Sequence, residues 1–311
     1  MSGSSVLFDA PGPRAKRTYA VVGVASVAVL LLILWFVVDK LNEKGQLTAA
    51  KWEPFLTGEI WTEYLIPGLI GTLTAAAISV VLALTLGILL GVGRLSSSAW
   101  IRWPCSIVVE FFRAVPVLMM MLFSYALFGY YNLFPSERLP LAAVITGLMF
   151  YNGSVVAELV RSGVYALPKG QGEAAMAIGL TNGKAMQLIL LPQAITAMLP
   201  AIVGQLVVIL KDTALGYIIT YEELLRKAEQ IGNYKSNLLP ALIVVAAIFV
   251  IVNYFLGVLA HRVEALMRRR GRSAGGPLAP EQVDRSAVGG AVAVGVTADA
   301  AAPDGTPGPG N

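Results

Sequence analysis

Charge is scarce in this chain. Only 14% of its 311 residues are Asp, Glu, Lys or Arg, where a soluble protein carries about a quarter. Hydrophobic residues make up 56% and the mean hydropathy is +0.70. Disorder over most of the chain is excluded, since it needs low hydrophobicity and high net charge. An ordinary soluble enzyme is excluded as well, because long uncharged stretches recur from one end to the other. The single cysteine, Cys105, cannot close an internal disulfide. No Cys/His cluster has metal-ligand spacing, so neither a metal nor a cofactor is expected. The single histidine, His261, stands beside Arg262 at the end of an apolar run and reads as an interfacial residue at a helix end rather than a catalytic base. The net charge of +4 (23 minus 19) is small, and nothing suggests nucleic-acid binding.

What the chain has instead is apolar runs long enough to cross a bilayer. A spanning helix needs about 20 mostly apolar residues. Six runs free of acidic and basic residues qualify: 18–38, 64–93, 114–136, 139–157, 185–210 and 236–260. They are continuously apolar, with no period-two alternation, which excludes membrane strands. The first run leads into Asp39-Lys40 with no small-residue cleavage site, so it reads as an uncleaved anchor rather than a secretory signal. Both termini then lie on one side. That side would hold Arg14, Lys16, Arg17, Arg94, Arg102, Arg161, Lys169, Lys184, Arg262, Arg268, Arg269, Arg270, Arg272 and Arg285, against Lys40, Lys44, Lys51, Arg138, Arg226, Lys227 and Lys235 on the other. Fourteen against seven puts both termini in the cytoplasm.

The resulting plan is an all-α integral membrane protein. It has a cytoplasmic tail at 1–17, an anchor helix at 18–38 and an extracellular segment at 39–63, with a short interfacial helix around Trp52 to Tyr64. A transmembrane domain follows at 64–262, then a tail at 263–311 that is basic first and disordered after about residue 273.

The cytoplasmic loop 161–191 carries the most information. Leu167-Pro168-Lys169-Gly170 is a turn signal, Gly172 to Gly179 can form a short helix, and Gly183 is expected to break that helix before the chain re-enters the membrane. Ala174, Ala175, Ala177 and Gly179 would let another surface approach the backbone closely. Glu173-Ala174-Ala175, then Gly179, then Ile189 and Leu191-Pro192 match, position for position, the EAA pattern of the membrane subunits of binding-protein-dependent ABC importers. Phe112-Arg113-Ala114-Val115-Pro116 resembles that family's Phe-Arg-Gly-Thr-Pro, with Ala114-Val115 in place of Gly-Thr. Ala157 to Gly163, Leu167 to Gln171 and Lys211-Asp212-Thr213-Ala214-Leu215 resemble its polar amino-acid branch. Val6 to Pro13 is similar to the N-terminus of glutamate-uptake permeases.

The resemblance implies a five-helix type I permease core, here spans two to six, with the first span added. It implies a coupling loop of Gly172, Glu173, Ala174, Ala175, Gly179, Ile189, Leu191 and Pro192 that docks on a cytoplasmic ABC ATPase dimer. A second permease subunit, related or identical, and an extracellular substrate-binding protein complete the expected set of partners. ATP hydrolysis would belong to the ATPase and not to this chain. Gly179 to Lys184 falls one residue short of a phosphate loop, and Ala185 stands where Ser or Thr is required.

Ionisable groups at membrane depth are costly, by about 2.5–3.5 kcal/mol each on insertion scales. Glu110 and Arg113, and Glu158 and Arg161, are each three residues apart and can pair on one helix face. An amino acid carries a carboxylate and an ammonium, so its pathway wants both signs of charge together with hydroxyl or amide groups. Arg113, Tyr151, Asn152, Glu158, Asp212 and Thr213 are the candidates, with Arg113 facing an acidic substrate's carboxylate. Intramolecular pairing that holds spans together is the competing reading of the same charges. Two other functions remain open at this level: an ion-coupled secondary transporter using Glu110, Glu158 and Asp212, and a membrane scaffold. Gly87-x-x-x-Gly91 reads as close helix packing.

Overall fold

A computed structural model describes residues 12–168 and 170–273, and all secondary structure among them is helical. Five helices are long and apolar enough to cross a membrane, or six if one bent pair counts as a span. The N-terminal motif at Val6 to Pro11, the tail beyond residue 273 and Lys169 lie outside the described residues.

Helix α1 (Pro13–Glu43) starts with proline in its first turn, where the missing N–H costs nothing. It ends at Gly45, whose φ of 63° is left-handed. The Gly45 N–H donates to Asn42 O and the Gln46 N–H to Leu41 O, which closes the last turn. No part of its most apolar stretch is buried by the rest of the chain. Short helical turns at Ala49–Trp52, Glu53–Leu56 and Gly58–Ile60 follow, close to the expected interfacial helix. Through Trp61–Leu65 they lead into α2 (Ile66–Arg94).

The third apolar run departs from expectation. Residues 114–136 do not form one crossing helix. Instead α3 (Ala99–Ala114) and α4 (Val117–Tyr130) meet at a bend of 101°. The cause is Pro116, which disfavours helical backbone at the residue before it; Val115 is extended, at φ −85° and ψ 127°. Absence of charge had marked the run as continuous, but the 14 residues of α4 reach only about 21 Å at 1.5 Å per residue. Helix α3 leaves an apolar stripe exposed along one side, at Trp100, Trp103, Ile107 and Phe111.

Helix α5 (Leu139–Tyr165) is the centre of the bundle. It packs along α2, where Gly87 lies against Val156 and the Gly153 carbonyl, and Gly91 lies against Val160 and the Ala157 carbonyl. The Gly87–Gly91 pair is a packing seam, as its spacing suggested. Gly147 admits Met121 of α4, and Gly163 admits Met198 of α7 (Leu191–Asp212). The shared core holds Ala75, Ala83, Met121, Ala143, Val144, Leu148 and Ile209. Between α5 and α7 lies α6 (Gly170–Ala177), followed by a turn at Asn182–Ala185.

Beyond α7 a 3-10 stretch (Thr213–Ile219) leads to α8 (Leu224–Lys235) and α9 (Leu238–Ser273). A second core joins Phe55, Ile60 and Leu65 to Leu224, Ala228, Ile231, Ala241 and Val245. The helical backbone of α9 continues through residues 263–273, which the sequence had assigned to the basic tail.

Candidate functional site

The loop between α5 and α7 is built by its backbone. Helix α6 ends at Gly179, with φ of 86°. The Gly179 N–H donates to Met176 O at 2.9 Å and the Leu180 N–H to Ala175 O at 3.1 Å, the paired bonds of a glycine-terminated helix. Nothing lies within 4 Å of a side chain placed on Gly179, so glycine is required there by the backbone angle and not by space. Gly183 does not break the helix as expected; it sits inside the turn Asn182–Ala185. The break falls four residues earlier, at the left-handed glycine.

Ala175 is buried under α6, while Glu173, Ala174, Ala177 and Ile178 face outward. The exposed surface is less bare than the alanines suggested. Met176 is 50% exposed and Ile178 75%, so the loop presents an apolar tip. The composition pointed to small residues and passed over these two. Gly172 is half-buried, as are Ile189 and Leu191, while Pro192 at the start of α7 is exposed.

Five charged side chains, from α2, α3 and α5, form one cluster. Glu158 is its hub: Oε2 accepts from Arg94 Nη1 at 2.6 Å and from Arg113 Nη1 at 3.4 Å, and Oε1 accepts from Arg161 Nη2 at 2.7 Å. Glu110 accepts from Arg94 Nη2 at 2.7 Å and pairs with Arg113 at 3.5 Å. Both within-helix pairs read from the sequence are present. The member the sequence missed is Arg94, whose side chain is only 6% exposed. It stands 64 and 16 residues from its two partners, and no local spacing points to it. Three guanidiniums against two carboxylates leave an excess positive charge. Arg113, at 37% exposure and with both contacts long, is the most available of the three.

The other pathway candidates are dispersed. Asn152 is fully buried; its amide donates to Leu148 O, and its carbonyl accepts from Gln205 at 2.5 Å, tying α5 to α7. Thr213 is fully buried and donates to Leu210 O at 2.7 Å. Tyr151 and Asp212 are half-buried. At the opposite end of the bundle from α6, Glu223 is fully buried and caps α8 by accepting from the Leu225 and Arg226 N–H groups at 2.8 and 2.7 Å. Burial pushes its carboxyl up to about 7, against the pull of those two donors and with help from neighbouring Glu222.

These features define a polytopic membrane subunit with an exposed helical loop between two long spans. Residues 83–269 match the family of binding-protein-dependent transport system inner membrane components, and the chain belongs to that family. The glutamate transport system permease protein GluD of Corynebacterium glutamicum is 49% identical over 247 residues, 79% of this chain and 90% of that protein. The glutamate/aspartate import permease protein GltK of Escherichia coli O157:H7 is 29% identical over 61% of this chain and 87% of its own length. Among solved structures, an amino acid ABC transporter crystallised with histidines matches with a TM-score of 0.60 and 29% identity, over 66% of this chain and 94% of that one. The inward-facing MetNI methionine ABC transporter shares the fold, with a TM-score of 0.53 at 20% identity over 68% and 97% of the two chains. The protein is therefore a multi-pass component of the bacterial plasma membrane. It is a transport subunit whose family works with a separate ATPase and a binding protein.

Proposed function

We propose that this chain is the permease subunit of an ATP-driven importer of polar amino acids, and that its substrate is glutamate. The observation that carries the substrate is the 49% identity to a glutamate permease over 79% of the chain. The excess positive charge around Arg113 agrees with it, because an acidic amino acid brings two carboxylates and one ammonium. Arg113 takes a carboxylate, Glu158 and Asp212 face the ammonium, and Tyr151 borders the path. Asn152 and Thr213 act one layer behind, fixing α5 and the end of α7.

Both termini are cytoplasmic, and α6 faces the cytoplasm as the helix that docks on the ATPase dimer. Ile178, at its apolar tip, enters the ATPase groove, with Glu173 and Ala174 beside it. Gly179 sets the angle of the tip, and Ile189, Leu191 and Pro192 return the chain to the membrane. Residues 39–63 and α8 face outward, toward the loaded binding protein. A second permease, identical or related, completes the pathway, which opens to each side in turn.

The test is uptake of radiolabelled glutamate by cells lacking this chain, with and without the gene restored, in competition with unlabelled aspartate, glutamine and arginine. Restored uptake blocked by glutamate is expected. Uptake that glutamine or arginine blocks and glutamate does not would overturn the substrate; uptake unaffected by loss of the gene would remove this chain from glutamate transport.

A further inference from the structure

Arg94 has no part in the proposed docking or substrate path, yet it occupies the tightest position in the charged cluster. It is the last residue of α2. Its guanidinium forks, one nitrogen to Glu158 on α5 and the other to Glu110 on α3, at 2.6 and 2.7 Å. Only a planar, multi-donor cation spans two carboxylates in this way; a lysine ammonium is a single point charge. The fork is kept although the buried Arg94 Nε has no acceptor among the described residues, a costly arrangement for a buried donor. Arg113 and Arg161 lie on the exposed rim of the same cluster and would still neutralise the carboxylates without it. What Arg94 adds is a join between three helices.

The chain that follows Arg94 faces the proposed ATPase-docking helix. The next three residues, Leu95, Ser96 and Ser97, line a cavity of about 400 Å3 whose facing wall includes Gly172 and Met176 of α6. A cavity rather than a packed contact leaves α6 room to move before it bears on Leu95–Ser97. Leu95 is bonded to Arg94, so a displacement of that segment would reach the arginine through the backbone. Glu110, held at the far end of the fork, lies four residues before the end of α3, whose junction with α4 is the extended Val115 and Pro116 at a 101° bend. Releasing Glu110 leaves that elbow tied to α5 by charge only through the long Arg113–Glu158 contact, at 3.4 Å.

We propose that Arg94 is the positioning residue of a clasp that holds α3 against α5 while the ATPase is idle, and that movement of α6 through Leu95–Ser97 opens it. The clasp rests on the reading of α6 as the ATPase-docking helix. Its role is to make ATP hydrolysis wait for substrate.

The experiment uses the assembled complex of permease, ATPase and binding protein in proteoliposomes, measuring ATP hydrolysis and glutamate uptake together. Arg94→Lys keeps the charge and removes the fork. It should raise hydrolysis in the absence of loaded binding protein, and lower glutamate imported per ATP by about fivefold or more, the usual span of coupling between sites. Glu110→Gln, at a carboxylate that is 59% exposed, removes one arm and should shift both readings the same way by less; it carries the test if Arg94→Lys does not assemble. A merely structural role would lower the amount of complex and leave the ratio of glutamate to ATP unchanged, which would overturn the clasp alone. If the wild-type complex hydrolyses ATP without importing any polar amino acid, the transport reading falls and the clasp falls with it.

Discussion

The seam between α2 and α5 gives the sharpest stability prediction. A methyl group on Gly87 would sit 2.6 Å from Val156 Cβ and 2.7 Å from the Gly153 carbonyl oxygen. Relaxed contacts between such atoms lie near 3.5–4.0 Å, so the two helices must part by about 1 Å, because the Val156 Cβ is fixed to its backbone and no change of rotamer moves it. The carbonyl belongs to the backbone and cannot turn aside. Overpacking of this kind costs about 1–3 kcal/mol, and at roughly 2–4 °C per kcal/mol for a domain of this size Gly87→Ala should lower the melting temperature of the detergent-solubilised protein by several degrees. Gly257 is the internal control, because it too lies within a helix but has nothing within 4 Å. There the same substitution should be neutral or stabilising, by up to about 1 kcal/mol from helix propensity. Adding Val156→Ala to Gly87→Ala should recover at most part of the loss, since it removes the Cγ1 contact at 2.6 Å but leaves the Cβ of residue 156 and the Gly153 carbonyl in place. Equal melting temperatures for Gly87→Ala and Gly257→Ala would refute this account of the seam.

Two further predictions concern carboxylates, Glu223 and the half-buried Glu158. Glu223 holds its proton up to about pH 7 in the folded protein, against an ordinary value of 4.5 for a glutamate. Between those values the folded state binds more protons than the unfolded state, so the stability this group contributes is full below about pH 4.5 and is lost as the pH rises through about 7, by about 3 kcal/mol in all. Glu223→Gln should flatten the fall in melting temperature between pH 5 and 7.5, and an unchanged slope would show that another group titrates there. Glu158→Gln keeps the size of the hub but leaves Arg94, Arg113 and Arg161 with Glu110 as their one remaining carboxylate in the cluster. Stranding a buried cation costs about 3–5 kcal/mol, so a marked drop in thermal stability is expected, and a melting temperature like wild type would mean the cluster is solvated.

Five of the six spans were legible because hydrocarbon thickness imposes one requirement on every crossing helix, and apolar length answers it. The short helix in the loop between α5 and α7 was legible for a different reason, as a long spaced pattern carried by small residues. The elbow at Val115-Pro116 was misread, although its local signal was present: a β-branched residue before proline is doubly discouraged from helix, but the lack of charge across 114–136 masked it. The helix break was placed at Gly183 because both glycines look alike in sequence, and only the φ of Gly179 separates them. Arg94 had no local signal at all. Its role depends on α3 and α5 bringing Glu110 and Glu158 to the end of α2, a tertiary event. Asn152 and Gln205 likewise meet only when α5 packs on α7.

In the proposed function, ATP-driven import is transmitted through α6. The most direct test is glutamate uptake in cells lacking this chain, complemented with wild type or with Gly179→Asp, at equal amounts of protein in the membrane. Gly179 has open space around it but a left-handed backbone, so aspartate there should turn the exposed tip of α6 while leaving the bundle intact. The account predicts uptake with wild type and little or none with the variant. Full uptake by Gly179→Asp would contradict coupling through this loop.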